Sequence, residues 1–206
     1  MRNNRIIQKK TNPRSLYEVR LVKRSAIKSF IEKNHYSHNI NGLKVSYCFG
    51  VFNRDGNLVG GVIFGQLSTT AWKKYGKTEE EVLELRRLVL ADSCVFNSES
   101  YVVGACIRHI RKHALKVKVI VSYADPYYGH SGIIYKASNF KYEGTTAKDT
   151  VLVDKTNGKR YHSRAMRTKY KGKFKPFALR LQEKFKEGKL EIITVPPKHI
   201  YTYRIQ

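Results

Sequence analysis

Two apolar runs joined by a short turn are the feature that most constrains how this chain can fold. Residues 45–52 read Val-Ser-Tyr-Cys-Phe-Gly-Val-Phe, and residues 58–65 read Leu-Val-Gly-Gly-Val-Ile-Phe-Gly. The segment between them contains Asp55-Gly56, and Asp-Gly between apolar runs is a strong signal for an antiparallel hairpin. The sequence therefore predicts a β-hairpin over these residues.

The segments around this hairpin alternate between helical and extended patterns. They are a helix capped by Ser25 that runs to about Asn34, a strand over 83–90, a helix that begins at Asn97 or Ser98 and carries Leu115 on its apolar face, a buried strand over 117–122, and a short helix over 129–140. This order predicts an α/β fold, a mixed sheet with helices packed on its faces.

The pattern weakens beyond residue 150. An Asn157-Gly158 turn between extended residues 151–153 and 160–163 predicts a second hairpin. A helix is expected from about Phe177 to Glu187, followed by an edge strand over 196–203. We expect one domain over 1–206, with a basic N-terminal arm (1–14), a catalytic α/β core (15–150) and a basic C-terminal extension (151–206).

The charge of the chain indicates its partner. Lys and Arg number 40 against 16 Asp and Glu, which gives a formal net charge of +24. Such an excess favours a polyanion, and double-stranded DNA is the expected one. A ribosomal or membrane-surface protein is the alternative, but no basic amphipathic helix with a Trp/Phe/Leu face supports the membrane version. Without a signal-peptide pattern or an apolar run of transmembrane length, we expect a cytoplasmic protein.

The cations are densest after residue 154, where they alternate with aromatic residues such as Tyr161, Tyr170 and Phe174. This mixture is typical of a surface that follows phosphates while its aromatic rings stack or wedge. A solvated charged face is the alternative. The candidate DNA-binding residues are Arg160, Arg164, Arg167, Lys169, Lys171 and Lys173.

Several short motifs, taken in order, resemble the Mom DNA-modification proteins of phages over roughly residues 25–205. They are Asn34-His35-Tyr36-Ser37, Leu85-Arg86-Arg87-Leu88, Asn97-Ser98-Glu99-Ser100, Ser122-Tyr123-Ala124-Asp125-Pro126, Gly129-His130-Ser131-Gly132, Ile134-Tyr135-Lys136-Ala137 and Pro197-Lys198-His199-Ile200-Tyr201. Each motif alone is weak evidence, whereas the whole series in matching order is not. The resemblance implies a fold derived from the GCN5-related N-acetyltransferases (GNAT), here with the basic C-terminal extension.

The resemblance also implies an activity. It is the addition of a carbamoylmethyl (glycinamide-like) group to adenine N6 in double-stranded DNA, which protects phage DNA from restriction. The polar active-site set carried over by position is His35, Tyr36, Asp125 and Tyr135. Arg87 and Ser100 are implied near an acetyl-CoA-like donor, and His35, Tyr36 and Asp125 near an iron ion.

The residues themselves allow more than one role for this set. One imidazole, one phenol and one carboxylate can ligate a transition metal or move protons at an adenine amine. Equally, His35 and Tyr36 can be a helix-terminal pair and Asp125 the cap of a turn. Tyr135 can face a pocket or the core. Arg86 and Arg87 are adjacent on a strand, so we expect them on opposite faces, with one of them solvated.

The segment before the predicted central helix departs from an ordinary acetyltransferase. In that fold a Gly-rich loop and the helix N-terminus hold the cofactor pyrophosphate. Residues 95–100 contain no glycine and include Glu99, although the hydroxyls of Ser98 and Ser100 can donate to phosphate. Two alternatives to DNA modification therefore stay open: an acetyl-CoA-dependent N-acetyltransferase and a DNA-binding protein without catalysis.

A duplex adenine reaches an enzyme only when it leaves the base stack. Aromatic side chains near predicted loops are candidates to stack on such a base. They are Tyr36, Trp72, Tyr123, Tyr127 and Tyr128.

Overall fold

The computed structural model describes residues 12–67 and 70–206, and these residues form two compact units. The first unit comprises the described residues up to 124 together with 130–144 and 199–206, and the second comprises 125–129 and 145–198. Of the predicted basic arm, residues 1–11 lie outside the described part of the chain. No helix in the described part is long and apolar enough to cross a membrane.

Within the described residues, twelve strands form three sheets. They are β1 (Glu18–Leu21), β2 (Val45–Phe52), β3 (Leu58–Gly65), β4 (Val82–Leu90), β5 (Val119–Ala124), β6 (Lys141–Thr145), β7 (Asp149–Asp154), β8 (Arg160–His162), β9 (Lys169–Tyr170), β10 (Lys173–Phe174), β11 (Leu190–Val195) and β12 (His199–Arg204). The first unit is built on the seven-stranded sheet β1-β2-β3-β4-β5-β12-β6. The predicted hairpin is confirmed as β2 and β3, which pair antiparallel.

The α-helices of residues 12–67 and 70–206 are α1 (Pro13–Leu16), α2 (Arg24–Asn34), α3 (Ser98–His113), α4 (Ile133–Ala137) and α5 (Pro176–Lys186). Helix α3 buries Val103 and Cys106 in the cluster that also holds Phe49 of β2. Helix α2 buries Ile27 and Ile31 in another cluster with Cys48, the residue before Phe49. Because successive strand residues point to opposite faces, the two helices cover opposite sides of the sheet.

Two predicted helix ends were wrong. Helix α2 starts at Arg24 after Lys23, so Ser25 lies inside the helix and caps nothing. Helix α3 ends at His113, where the N–H of Ala114 makes the last helical hydrogen bond, and Leu115 is exposed beyond it.

The prediction of an edge strand near residue 200 was also wrong. Strand β12 lies between β5 and β6 and pairs antiparallel with β5, with Tyr201 opposite Ser122. Ile200, Tyr201 and Thr202 are all buried, so the strand is covered on both faces. Because the strand is buried on both faces, its sequence lacks the alternation of apolar and polar residues that a half-exposed strand shows.

Gly132, the residue before helix α4, packs against Tyr201 of β12. Gly132 precedes the helix with φ of 78°, and a Cβ there would lie 2.3 Å from the ring of Tyr201. The Tyr201 hydroxyl donates to the Ser131 carbonyl at 3.0 Å. Both the left-handed backbone and the close ring require glycine at this position.

The second unit contains the three-stranded sheet β11-β7-β8 and helix α5. The predicted hairpin around Asn157-Gly158 is confirmed as β7 and β8. Asp154, at the end of β7, is fully buried, accepts hydrogen bonds from Thr156, and pairs with Lys184 of α5 at 2.5 Å. This ion pair connects α5 to the sheet β11-β7-β8.

Candidate functional site

His35 ends helix α2 and is buried, with 6% of its surface exposed. Its Nδ1 accepts a hydrogen bond from the Ser37 backbone N–H at 3.1 Å and lies 2.8 Å from the Ser37 hydroxyl. Because a backbone N–H can only donate, Nδ1 carries no proton. The proton of a neutral His35 ring is therefore on Nε2, which makes that atom a hydrogen-bond donor.

The environment keeps the His35 ring neutral. Burial, followed by electrostatic interactions with Arg87, His130 and His38, lowers the pKa of His35 to about 4. At neutral pH the side chain is thus an uncharged imidazole whose Nε2–H can donate.

Two predicted residues, Tyr36 and Arg87, lie near this imidazole in the first unit. The Tyr36 ring centroid is 4.2 Å from that of His35, and Tyr36 and Arg87 interact electrostatically. Nε and Nη2 of Arg87 donate to the Asn39 carbonyl at 3.3 and 3.1 Å. His130, which was not among the predicted site residues, also lies here, with its ring centroid 5.1 Å from that of Tyr36. No sequence pattern links His130 to His35, because 95 positions separate them.

A β-bulge in β4 changes the expectation for the adjacent arginines. Ile63 of β3 faces Arg87 and Phe64 faces Leu85, so Arg86 has no partner opposite it. A bulge breaks the strict alternation of faces. Both guanidinium groups are half-buried and hydrogen-bonded, with Arg86 pairing with Glu84 at 3.0 Å. The predicted solvated arginine was wrong.

Tyr135 lies on α4 beside the point where β4 and β5 stop pairing. The two strands pair in parallel only as far as Leu85 and Ser122, although both continue beyond this point. Tyr135 hydrogen-bonds with the Ser122 side chain, and its ring packs 5.4 Å from that of Tyr201. Burial raises the pKa of Tyr135, so it is a neutral phenol. It lies at the carboxyl end of β5, where ligands gather in open α/β sheets.

The two predicted cofactor serines use their hydroxyls locally. Ser98 is buried and donates to the Val95 carbonyl at 2.6 Å, and Ser100 donates to the Asn97 carbonyl at 3.0 Å. A phosphate needs donors, so these bonds weigh against a phosphate-holding role for either hydroxyl. Their contact with a cofactor stays a prediction.

Asp125 belongs to the second unit and makes two specific contacts there. Its Oδ1 accepts from the Tyr127 N–H at 3.1 Å, which caps the 3-10 turn Pro126–Tyr128, and its Oδ2 lies 3.2 Å from Lys198 Nζ. Asp125 is therefore a capping residue, which was one of the two predicted roles. Its carboxylate is also fixed in orientation by Lys198, for which no role was predicted.

The predicted DNA-binding cations differ in their surroundings within the second unit. The Arg160 guanidinium stacks on Tyr127 at 4.0 Å and lies 5.9 Å from the Tyr128 ring. The other predicted cations are exposed; they are Arg164, Arg167, Lys169, Lys171 and Lys173.

The residues implied for iron do not fit the metal. A neutral histidine that ligates through Nε2 must carry its proton on Nδ1, whereas Nδ1 of His35 accepts from Ser37. Over residues 12–67 and 70–206, no group of three or more His, Cys, Asp or Glu could hold a metal ion.

Comparison with known proteins gives a family and a fold. The model of the Mom protein family matches residues 16–206. The chain is 33% identical over 84 residues to the methylcarbamoylase mom of Escherichia phage Mu, an alignment that covers 41% of this chain and 34% of that protein. The chain thus spans about a third of the length of that relative.

Solved structures with a similar backbone are acetyltransferases. The spermidine/spermine N-acetyltransferase SpeG from Vibrio cholerae has a TM-score of 0.50 and 11% identity, covering 94% of this chain and 95% of that chain. The GNAT family N-acetyltransferase YhbS from Escherichia coli has a TM-score of 0.46 and 12% identity, covering 64% of this chain and 72% of that chain. The predicted GNAT-like α/β fold is confirmed.

Proposed function

This chain belongs to the Mom protein family, and from that premise we propose that it is a phage transferase that adds a carbamoylmethyl group to adenine N6 in double-stranded DNA. The modification would protect the DNA from restriction. The observation that carries the proposal is the family match over residues 16–206. The name of the phage Mu relative, a methylcarbamoylase, supports the type of group transferred.

The charge supports DNA as the substrate. Residues 155–175 contain nine Lys or Arg and no Asp or Glu. Most of these cations are exposed, so they are available to phosphates of a duplex backbone.

The chemistry of the first unit favours hydrogen-bond donation over proton abstraction. Nε2–H of His35 is suited to donate to a ring nitrogen of the base or to the carbonyl oxygen of the transferred group. Donors fixed before the reaction stabilise developing negative charge without reorganisation. Arg87 adds a positive charge beside Tyr36, and the exposed Tyr36 ring offers a surface on which an extruded base can stack.

In the second unit, Asp125 offers a hydrogen-bond acceptor. A carboxylate accepts hydrogen bonds, and the exocyclic N6 amine of adenine is a donor. Asp125 is held for this role by the Tyr127 N–H and by Lys198.

Base extrusion is part of the proposal. It costs a few kcal/mol, which stacking on exposed aromatic rings such as Tyr36, Tyr127 and Tyr128 can offset. A duplex with 2-aminopurine at the target position should become more fluorescent when the protein binds. No rise on binding would exclude extrusion.

An acetyl-CoA-like donor would need groups that hold its phosphates. The first turn of α3 carries Glu99, and the hydroxyls of Ser98 and Ser100 donate to carbonyls, which weighs against phosphate binding by these two hydroxyls.

Mass spectrometry of nucleosides tests the proposal. DNA from cells that express the protein should contain a new deoxyadenosine adduct, which His35→Ala and Asp125→Ala should greatly reduce. His113→Ala is a matched control, because His113 is exposed on α3 and is not one of the residues grouped around His35, which are Tyr36, Arg87 and His130. Unmodified DNA with intact binding would indicate a DNA-binding protein without catalysis. Acetylated amines without a DNA adduct would indicate an N-acetyltransferase.

A further inference from the structure

Strands β9 and β10 form a two-stranded ribbon in the second unit. The turn between them consists of Lys171 and Gly172, with φ of 48° and 79°. Two central residues with positive φ give the primed type of turn, whose twist matches that of the strands. The ribbon is closed at its base by a hydrogen bond from the Lys175 N–H to the Thr168 carbonyl at 3.0 Å.

The ribbon is open to solvent along its whole length. Every residue from 169 to 177 is exposed, and 65% of the surface of Tyr170 is accessible. An isolated two-stranded hairpin gains little stability by itself. A hairpin that keeps its side chains in solvent is therefore available for a partner.

Each face of the ribbon carries one cation and one aromatic ring. Tyr170 is opposite Lys173, and Lys169 is opposite Phe174. Residues directly opposite each other share a face, whereas neighbours along a strand point to opposite faces. Lys169 and Lys173 thus project from opposite faces, and Lys171 lies at the tip.

A cation lies beside each aromatic ring of the ribbon, and a concave surface adjoins the ribbon. Lys169 Nζ lies 4.6 Å from the Phe174 ring, and Lys171 Nζ lies 5.7 Å from the Tyr170 ring. The concavity has a volume of about 700 Å³ and is lined by Tyr170, Lys171, Lys173, Phe174, Lys175 and Pro176. Its lining offers positive charge for phosphate and apolar surface for sugar or base.

We propose that the ribbon Lys169–Phe174 enters the major groove of double-stranded DNA, with Lys169 and Lys173 each contacting one of the two phosphate backbones. This inference rests on the proposed function, in which duplex DNA is the substrate. The major groove is about 12 Å wide and admits a two-stranded β-ribbon, whereas the minor groove is about half as wide. A ribbon with a lysine on each face meets a phosphate strand on each side. The N6 amine of adenine also lies at the major-groove edge.

The salt dependence of duplex binding tests the two phosphate contacts. The double variant Lys169→Ala/Lys173→Ala should bind roughly 10- to 30-fold more weakly at physiological salt, and the slope of log affinity against log salt should become shallower by about 2. Arg111→Ala/Lys112→Ala is the matched control, because it removes two exposed cations from the end of α3. Equal losses of slope in the two double variants would overturn the inference.

Duplexes in which one groove is blocked test which groove the ribbon enters. A duplex whose thymines carry a bulky glucosyl group in the major groove should bind the natural protein more weakly, and the difference should disappear in Lys169→Ala/Lys173→Ala. A dye that occupies the minor groove should leave the affinity unchanged. Displacement by the dye, with no effect of the glucosyl group, would overturn the assignment.

The nucleoside assay separates this inference from the proposed function. If the natural protein binds DNA through the ribbon as expected but forms no adduct, the proposed function fails and the ribbon inference holds. If an adduct forms while the ribbon variant keeps its full salt slope, the ribbon inference fails and the proposed function holds.

Discussion

The two units of the chain use polar side chains in opposite ways. In the first unit, His35 is buried and neutral, and the nearby Arg87 is half-buried and bound to a backbone carbonyl. In the second unit, the cations of the ribbon are exposed. A fixed, partly dehydrated donor suits chemistry on one group, whereas exposed mobile cations suit a repeating phosphate backbone. We therefore expect the net charge of +24 to serve DNA binding, and the proposed chemistry to depend on groups that contribute little to that charge.

The largest effect should come from the imidazole of His35. Replacing His35 by Ala removes the Nε2–H donor and should lower the rate of adduct formation by about 10²- to 10³-fold, with unchanged duplex affinity. His35→Gln keeps an N–H donor at a similar distance from the backbone and should lose less than about 10-fold. Single-turnover rates and binding isotherms measure the two effects.

This pair of variants distinguishes a donor from a general base. Glutamine cannot take up a proton, so equal large losses in both variants would show that His35 acts as a base. A parallel loss of duplex affinity would contradict the separation of chemistry from binding.

Acid should destabilise the two units in different pH windows. The pKa of His35 is lowered from 6.5 to about 4, so the unfolded chain binds its proton first, and the free energy of unfolding should fall as the pH drops from 6.5 to 4. The fall is at most about 3 kcal/mol. Hydrogen bonds from Lys184 and Thr156 lower the pKa of Asp154 from 3.8 to about 2, so its contribution should be lost only below pH 3.8.

Two probes can follow these windows separately. Trp72, the single tryptophan, reports on the first unit by fluorescence, and amide hydrogen exchange in β7 and β11 reports on the second. His35→Gln should remove only the fall in the free energy of unfolding between pH 6.5 and 4. Asp154→Asn should remove only the fall below pH 3.8. Loss of both windows in one variant would show that the units do not respond independently.

A smaller effect is expected at Lys198, which we regard as a positioning residue for Asp125. Lys198→Met should lower the rate of adduct formation by about 10-fold, because the Asp125 carboxylate loses one of its two fixing contacts. Lys198→Arg should restore most of the rate, and the KM for duplex should change little in either variant. A rise in KM with unchanged kcat would instead make Lys198 a DNA contact.

Local signals in the sequence predicted much of this fold. Asp55-Gly56 and Asn157-Gly158 specify turns by their own backbone preferences, so both hairpins could be predicted. His35 and Tyr36 are neighbours in the chain, so their proximity needed no tertiary information.

Features that depend on distant pairing could not be predicted. The bulge at Arg86 exists only in relation to β3, and the ion pair of Lys198 with Asp125 joins residues that are 73 positions apart. The neutral tautomer of His35 follows from a single N–H of Ser37, whose direction is set by the end of α2. Such features arise from the folded environment, which residue preferences do not encode.

The place of β12 in the large sheet has a consequence for how the protein forms. Strands β5 and β6 have β12 between them, yet residues 145–198 of the second unit come before β12 in the chain. During synthesis, β5 must therefore wait with an unpaired edge until the second unit has left the ribosome. Pairings across such long separations form slowly. An early, compact second unit would bring β12 close to its position in the sheet and shorten the period in which that edge can aggregate.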